Sequence, residues 1–520
     1  MRRTRRILCI ILATVFVFSF LLAGCGAKND TSSDVTASAD TGTVSSEAPA
    51  QTPDKAATLD PYEVKWYMIG TKDYAEKTLV QDELAKRMKD INTTLKLQVF
   101  PWGTYSNQIS MIINSGEQFD ICFMGTNTSY YPNVAKGAFV DLTELIDTDL
   151  PKLKAMMYPE FLEGPKVKGK IYGLPTNKEI PEAYGVEVNT ALLSKLNGVS
   201  FDNIKTYADL EPILKAAKEQ LPADVFPMSL VATTMLRNGS FDNLGDYTIP
   251  GVVRLGEDKV INQFETPEFM ENWKLIRKFV DEGLVNKNGA TQGAPDYWAE
   301  GKSLCRVEVM GPLPTYTGGQ GQVIARHNIG TPVIMTGATT GAMQCFSKTT
   351  KDIHRALLFY DTLNADPELY NLLMYGIKDK HYRVIDETTN PIRVDFLEGQ
   401  TEDTVGYIHA GGAWSLGGNW FASYLGKNDP ADRNANVDKY NKSATTSKLL
   451  GFAFDVEPVK TEVAACATVY QEIGVPLNNG AIDPVEGAAR FIEKLKAAGM
   501  DKIIAEKQRQ IDQWKADNGK

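Results

Sequence analysis

Past the N-terminal stretch, the apolar positions of this chain fall into two rhythms that take turns. Val64-Lys65-Trp66-Tyr67-Met68-Ile69 reads as a strand ending at Gly70. The residues after it carry Leu79, Leu84 and Met88 among charges, which predicts a helix. Leu95 to Phe100 is a second strand, with Leu, Leu and Val alternating with Lys and Gln. Gln108 to Ile113 is a second helix, and Asp120-Ile121-Cys122-Phe123-Met124 a third strand. This order predicts a parallel sheet with helices on its faces. Ligands of such sheets sit beyond the carboxyl ends of the strands, where Gly70, Trp102, Gly125, Thr126 and Asn127 fall.

The same reading continues downstream. Thr206-Tyr207-Ala208-Asp209 is a capping-box pattern ahead of a helix over Leu210 to Leu221. Thr266-Pro267-Glu268 opens an amphipathic helix to Val280, with Gly283 as its stop. Asp366-Pro367-Glu368 and Asp483-Pro484-Val485-Glu486 start two more helices, and Gly499 breaks the chain before a last one reaching Trp514. Pro175–Val188 and Val333–Ser347 read as crossings between lobes, with a third return near Arg383 to Trp420. No repeat with a period of about 20–50 residues is present.

The N-terminal stretch obeys neither rhythm. Arg2, Arg3, Arg5 and Arg6 precede an apolar run from Ile7 to Leu22, and Leu21-Leu22-Ala23-Gly24-Cys25 closes it. A basic region, an apolar region and small residues before a cut site mark a secretory signal. The cysteine makes the segment resemble the lipobox of bacterial lipoproteins. That resemblance implies a signal peptide over residues 1–24 and acylation of Cys25, of the palmitate type. The run is short for a membrane span of about 20 residues, which disfavours a transmembrane anchor. Residues 25–59 are Ser, Thr, Ala, Asp and Pro with almost no large apolar side chain, and read as a disordered tether. These readings place the protein outside the cytoplasm, lipid-anchored to the bacterial cell membrane.

What remains is roughly 460 residues, too many for one core and natural for two lobes. Without the four leader arginines, 51 basic residues face 65 acidic ones. That balance argues against nucleic acid or anionic lipid as a partner. Cys122, Cys305, Cys345 and Cys466 lie far apart, in no zinc-ligand spacing. Buried free thiols are the expected state, with one disulfide as the alternative in an oxidising compartment.

Several segments resemble the extracellular solute-binding proteins of sugar ABC transporters. Ser115-Gly116-Glu117, Phe119-Asp120-Ile121 and the run Ala135-Lys136-Gly137-Ala138-Phe139-Val140-Asp141-Leu142-Thr143 are similar to that family's first lobe. Gly169-Lys170-Ile171-Tyr172-Gly173-Leu174-Pro175 resembles the segment before its first crossover, and Tyr184 to Leu193 the start of its second lobe. Tyr375-Gly376-Ile377, Lys380-His381-Tyr382, Gly451-Phe452-Ala453-Phe454-Asp455, Val459-Lys460-Thr461-Glu462 and the stretch from Glu506 to Trp514 resemble the LipO/LplA-type lipoproteins, with their C-terminal domain of unknown function. The resemblance implies an α/β, two-lobed periplasmic-binding-protein-like fold of type II, with an interlobe ligand cleft and extra C-terminal helices. It places the N-terminal lobe at 60–177 and 345–385, and the C-terminal lobe at 178–344 and 386–520. It also implies an ABC transporter permease as partner and closure on the ligand.

A sugar offers hydroxyls on its edge and a C–H face, so its receptor needs aromatic rings together with amides, carboxylates or Arg and Lys. Loop-like segments concentrate such residues: Trp102, Tyr105, Thr126, Asn127 and Tyr130 in the first lobe, Tyr184 and Glu187 at the first crossing, Trp298 and Tyr316 in the second lobe. Trp414, Asn419 and Trp420 lie in a run holding four glycines. Trp420 has a second reading, as packing under that loop. Trp66 is assigned to the core, and Trp273 and Trp514 to core or interlobe packing. Trp102 and Trp414 are expected as platforms on opposite lobes.

Catalysis finds no support. The four histidines are in no metal-ligand spacing, and HExxH, a Walker sequence, a dinucleotide loop and a G-x-S-x-G elbow are all absent. The expectation is a non-enzymatic, monomeric carbohydrate receptor that needs no cofactor or metal. A peptide or other polar-solute receptor is the alternative, with a surface glycosidase further behind.

Overall fold

A computed structural model describes residues 59–519, apart from Thr126, Asn127, Asn238, Gln292, Gly319 and Gln320. The expected signal peptide, Cys25 and the tether as far as Thr58 lie outside the described residues.

β1 (Tyr62–Gly70) buries Val64, Trp66 and Met68 on one face and Tyr67 and Ile69 on the other, as a central strand between helical layers must. α1 (Lys77–Arg87) turns Val80 and Leu84, one helical turn apart, into the core. Leu79, an expected core position, is one step off that face and 45% exposed. β2 (Thr93–Pro101) is an edge strand burying Leu95, Leu97 and Val99 while Thr94, Lys96 and Gln98 face solvent. α2 (Trp102–Ser115) begins directly after Pro101 rather than at Gln108. β3 (Ile121–Gly125) is wholly buried, and both β2 and β3 pair with β1 in parallel. The first lobe's sheet is thus a parallel one at its start, as the rhythm predicts. β4 (Leu174–Pro175) is its last strand before the chain departs.

Residues 176–181 cross to the second lobe. There β5 (Glu182–Asn189), α3 (Leu210–Lys218), β6 (Phe226–Ser229), α4 (Pro267–Asp281), β7 (Ser303–Met310), β8 (Thr315–Thr317) and β9 (Val323–Ile334) follow in turn. The capping box of Thr206 and Asp209 forms just ahead of α3. The sheet order is β8-β9-β5-β7-β6, with β5 antiparallel to both neighbours and β6 parallel to β7. Val186 and Val188 of β5 pack with Leu210, Leu214, Ile276 and Phe279 from α3 and α4.

The chain returns through 335–341 into β10 (Ala342–Phe346), which inserts antiparallel between β3 and β4. α5 (Ile353–Ala365) and α6 (Pro367–Tyr375) complete the first lobe's helical layer. Asp366 caps α6 by accepting hydrogen bonds from the Glu368 and Leu369 amides. Contrary to the expected boundary, residues 386–426 do not belong to the second lobe. Val405, Tyr407, Ala410, Leu416 and Ala422 are buried in the first lobe's core. The reason is a close backbone approach: a Cβ on Gly70 would lie 2.6 Å from that of Ala410, and one on Gly411 2.5 Å from the Ile69 carbonyl oxygen. Glycine at both positions lets this segment lie against the end of β1.

The third crossing is therefore α7 (Arg433–Ser443), not the stretch from Arg383 to Trp420. Arg433 donates to the Ser423 carbonyl in the first lobe at 2.7 Å, and the Tyr440 hydroxyl to the Met310 carbonyl in the second at 3.1 Å. β11 (Thr445–Thr446) then adds in parallel to β9. α8 (Lys460–Val469), α9 (Pro484–Ala497) and α10 (Met500–Asn518) pack on α4 of the second lobe, where Trp273, Phe491 and Ile503 share one core cluster. Phe161, Ile180, Ile334 and Leu450 form a small core at the crossings themselves. Among the described residues no helix is long and apolar enough to cross a membrane.

Candidate functional site

The first lobe presents two indoles to solvent at the carboxyl ends of its parallel strands. Trp102 opens α2 immediately after β2, and Trp414 lies on the glycine-rich segment held against β1. They are 41% and 37% exposed, in a chain whose other large aromatic side chains are mostly buried. Their rings stack on each other, 5.6 Å apart and 15° from parallel, and Phe123 of β3 meets Trp414 edge-on at 5.8 Å. The expected placement on opposite lobes is therefore corrected: both indoles belong to the first lobe and form one platform. The Trp414 backbone is tied to the first crossing, since the Thr176 hydroxyl donates to its carbonyl at 2.9 Å.

His409 supports the segment that carries Trp414. The Ser415 hydroxyl donates to the Gly412 carbonyl at 3.0 Å, so the His409 Nε2, 3.0 Å away, is the donor to Ser415 and Nδ1 carries the lone pair. That Nδ1 has no partner among the described residues, and burial lowers the imidazole to about 4.

The second lobe offers charge. Glu187 of β5 is 1% exposed and stands directly across from Arg306 of β7 and Arg326 of β9. Arg306 donates twice to its Oε2 at 3.0 and 2.8 Å, Arg326 to its Oε1 at 3.1 Å, and the Tyr316 hydroxyl to Oε2 at 2.9 Å. Glu187 accepts all four of these hydrogen bonds, three of them at Oε2 and one at Oε1, and so orients Arg306, Arg326 and Tyr316. Burial and the Glu187 carboxylate both raise the Tyr316 phenol, keeping it a donor. The outward side of Arg306 lies 5.0 Å over Trp298.

Beyond the end of β6 the edge of β7 opens into a hollow lined by Tyr184, Ser229, Thr233, Asp296, Trp298 and Glu308, among others. Arg237 also reaches it, its guanidinium held between Tyr184 at 4.3 Å and Tyr247 at 4.0 Å. The Ser229 hydroxyl and the Arg237 Nε are buried with no hydrogen-bond partner among the described residues. Orphaned polar groups beside aromatic faces are what a hydroxyl-rich ligand would complete.

The remaining expected contacts divide. Tyr105 is fully buried and donates to the Phe123 carbonyl at 2.7 Å, because α2 starts early and turns it inward. Tyr130 is likewise a core residue, bonded to the Pro165 carbonyl at 2.5 Å. Both leave the candidate set. Asn419 donates to the Asn364 carbonyl at 3.4 Å, and the Arg433 guanidinium lies 4.4 Å over the Trp420 ring. Thr126 and Asn127 lie outside the described residues. Sequence reasoning did not select Arg306, Arg326, Tyr247 or Ser229. The pairing of Arg306 and Arg326 with Glu187 follows from strand register across more than a hundred residues, and no local pattern announces it.

Two lobes joined by three crossing segments, with a platform at the strand ends and a polar hollow near the crossing, define a cleft-type solute receptor. The chain belongs to the bacterial extracellular solute-binding proteins, whose family model matches residues 82–365, more than half of it. A domain of unknown function, DUF3502, matches residues 448–516. The chain is 31% identical over 459 residues to a carbohydrate ABC transporter substrate-binding protein of Streptococcus pneumoniae, covering 87% of this chain and 90% of that one. It is 24% identical over 318 residues to lipoprotein LipO of Bacillus subtilis, covering 56% of this chain and 62% of that one. The N-glycan transport solute binding protein NgtS from Streptococcus pneumoniae aligns with a TM-score of 0.76 at 30% identity, over 87% of this chain and 99% of that one. The NgtS complex with Man1GlcNAc aligns at 0.65 and 28% identity, and that with Man5GlcNAc at 0.61 and 29%, over 87–88% of this chain and 98–99% of those chains.

Proposed function

We propose that this chain is the sugar receptor of an ABC importer, held outside the cell by acyl chains on Cys25, which captures an oligosaccharide between its lobes and hands it to the permease as a monomer. The observation that carries the reading is the solvent-facing Trp102–Trp414 stack at the carboxyl ends of β1–β3. An apolar surface of this kind costs free energy unless a ligand covers it, and the C–H face of a sugar is flat enough to do so. The sugar's other side would meet Tyr184, Trp298, Arg306 and the orphaned Ser229 hydroxyl. Residues 59–175 with 342–426, and 182–334 with 445–519, act as the two rigid bodies, and the three crossings absorb the motion. The match to NgtS is better for the first structure than for its two sugar complexes, which supports a rearrangement of the lobes on binding.

A thermal-shift screen over mono- and oligosaccharides, including mannose–GlcNAc compounds, tests the ligand class. A ligand at 100 times its dissociation constant adds about 2.7 kcal/mol to stability. A shift with oligopeptides and none with sugars would replace the sugar reading by the peptide one. Anchorage is tested separately: fatty-acid label should enter the protein and be lost in Cys25→Ala, and label that persists would remove Cys25 from that role.

A further inference from the structure

The described cysteines are free and buried, yet two of them are not independent. β3 and β10 run antiparallel with Cys122 directly opposite Cys345. Directly opposed residues of such a pair project to the same face, with Cα atoms about 4.5 or 5.5 Å apart. Both spacings fall inside the range of about 4.4–6.8 Å that a disulfide bridges. Space for the sulfurs is provided on that face by Gly173, where a Cβ would come 3.0 Å from the Cys345 Sγ. Among the described residues Cys305 and Cys466 have no comparable partner. They sit in two other core clusters, Cys305 donating to the Pro227 carbonyl and Cys466 to that of Leu495.

We propose that Cys122 and Cys345 close into a cross-strand disulfide when the chain folds in the presence of a disulfide oxidant, and that the choice between thiol and disulfide is made during folding and then locked. The thiolate of one cysteine attacks a sulfur of the oxidant, releasing one thiol and leaving a mixed disulfide on the protein. The second cysteine attacks the protein sulfur of that intermediate and displaces the other half of the oxidant. Two electrons and two protons pass from the cysteines to the oxidant, which leaves as two thiols. After folding neither step is open. Both sulfurs are fully buried, and burial raises both thiols above their ordinary range, so neither meets an oxidant nor offers it a thiolate.

The bond has a mechanical consequence for the receptor. β10 is the strand on which the chain re-enters the first lobe after the second crossing, and β3 is its neighbour in the middle of the sheet. The disulfide would fasten the first-lobe end of residues 335–341 covalently and leave the crossing itself free to bend.

The test refolds the reduced chain from denaturant with glutathione and its disulfide, alkylates free thiols, and maps peptides without reduction. A second sample, folded first and then given the same oxidant, is treated alike. We expect the Cys122–Cys345 peptide in the first sample and at least about tenfold less in the second, with unfolding of the oxidised protein slowed about tenfold or more. Two alkylated thiols in a chain that has refolded cooperatively, or a bond to Cys305 or Cys466, overturns the pairing. Equal oxidation of both samples overturns the lock. Should oxidative refolding scramble, the Cys305→Ala/Cys466→Ala variant, secreted by cells and trapped with acid and alkylating agent, gives the same reading. A free pair there is decisive against the proposal.

Discussion

The two walls of the proposed cleft hold their candidate side chains by opposite means. On the first lobe, Trp102 and Trp414 are exposed rings propped by each other and by backbone: a helix that begins at once after β2, and a segment pressed against β1 through Gly70 and Gly411. On the second lobe, Arg306, Arg326 and Tyr316 are fixed by one buried carboxylate, Glu187, to which all three donate. An apolar platform can be truncated without leaving anything unsatisfied. A charge network cannot, because removing its centre leaves Arg326 without its carboxylate and Arg306 with Glu308 alone, 3.3 Å away. Affinity and stability should therefore be separable on the first wall and entangled on the second.

The sharpest break comes at Glu187. Glu187→Ala is expected to lower unfolding free energy by about 3 kcal/mol or more, read from denaturant midpoints. A variant of near-native stability that has lost sugar affinity would instead put Glu187 in contact with the ligand.

His409 allows the first wall to be loosened by pH. Its folded value lies near 4, below the ordinary 6.5, so the unfolded chain binds the proton more readily between those values. Stability contributed by the neutral imidazole is complete above pH 6.5 and is lost as pH falls toward 4. It amounts to about 3 kcal/mol over that window. His409→Gln should flatten that part of the pH–stability curve, and an unchanged slope would assign the loss to other groups.

The Trp102→Ala and Trp414→Ala variants are expected to cost about 2 kcal/mol of binding, roughly thirtyfold in affinity, with melts close to the parent. Because the rings support each other, the double variant should lose less than the sum of the singles. A collapsed melt in either single variant would place that indole in the core. The smallest effect is expected at Tyr105, where Tyr105→Phe removes the hydrogen bond to the Phe123 carbonyl at a cost of about 1 kcal/mol in stability, with affinity unaltered.

How much of this was readable from the chain differs between the walls for a physical reason. The strand and helix order of the first lobe, and caps such as Asp366 and Asp483, are local: a side chain and the amides two and three residues on. The start of α2 was missed because Pro101 precedes it with no capping side chain, so nothing before Gln108 signals a helix. Trp102 and Trp414 could be selected as loop aromatics, but their stacking depends on how residues 386–426 return to the first lobe, which follows from close approach at two glycines. Glu187 could be selected as a polar candidate. That two arginines and a tyrosine converge on it depends on strand partners far along the chain, and sequence distance carries no information about them.

The indole pair also gives the molecule an optical signature. Two tryptophans stacked nearly in parallel have coupled electronic transitions, so their near-ultraviolet circular dichroism is set by their mutual angle as well as by their surroundings. A ligand laid on the outer face of either ring would change the polarity around the pair, and a shift of the lobes would change its access to water. The receptor thus contains a chromophore at the place where binding is proposed, and occupancy can be followed through intrinsic signals, without attaching a label to the surface that the sugar must reach.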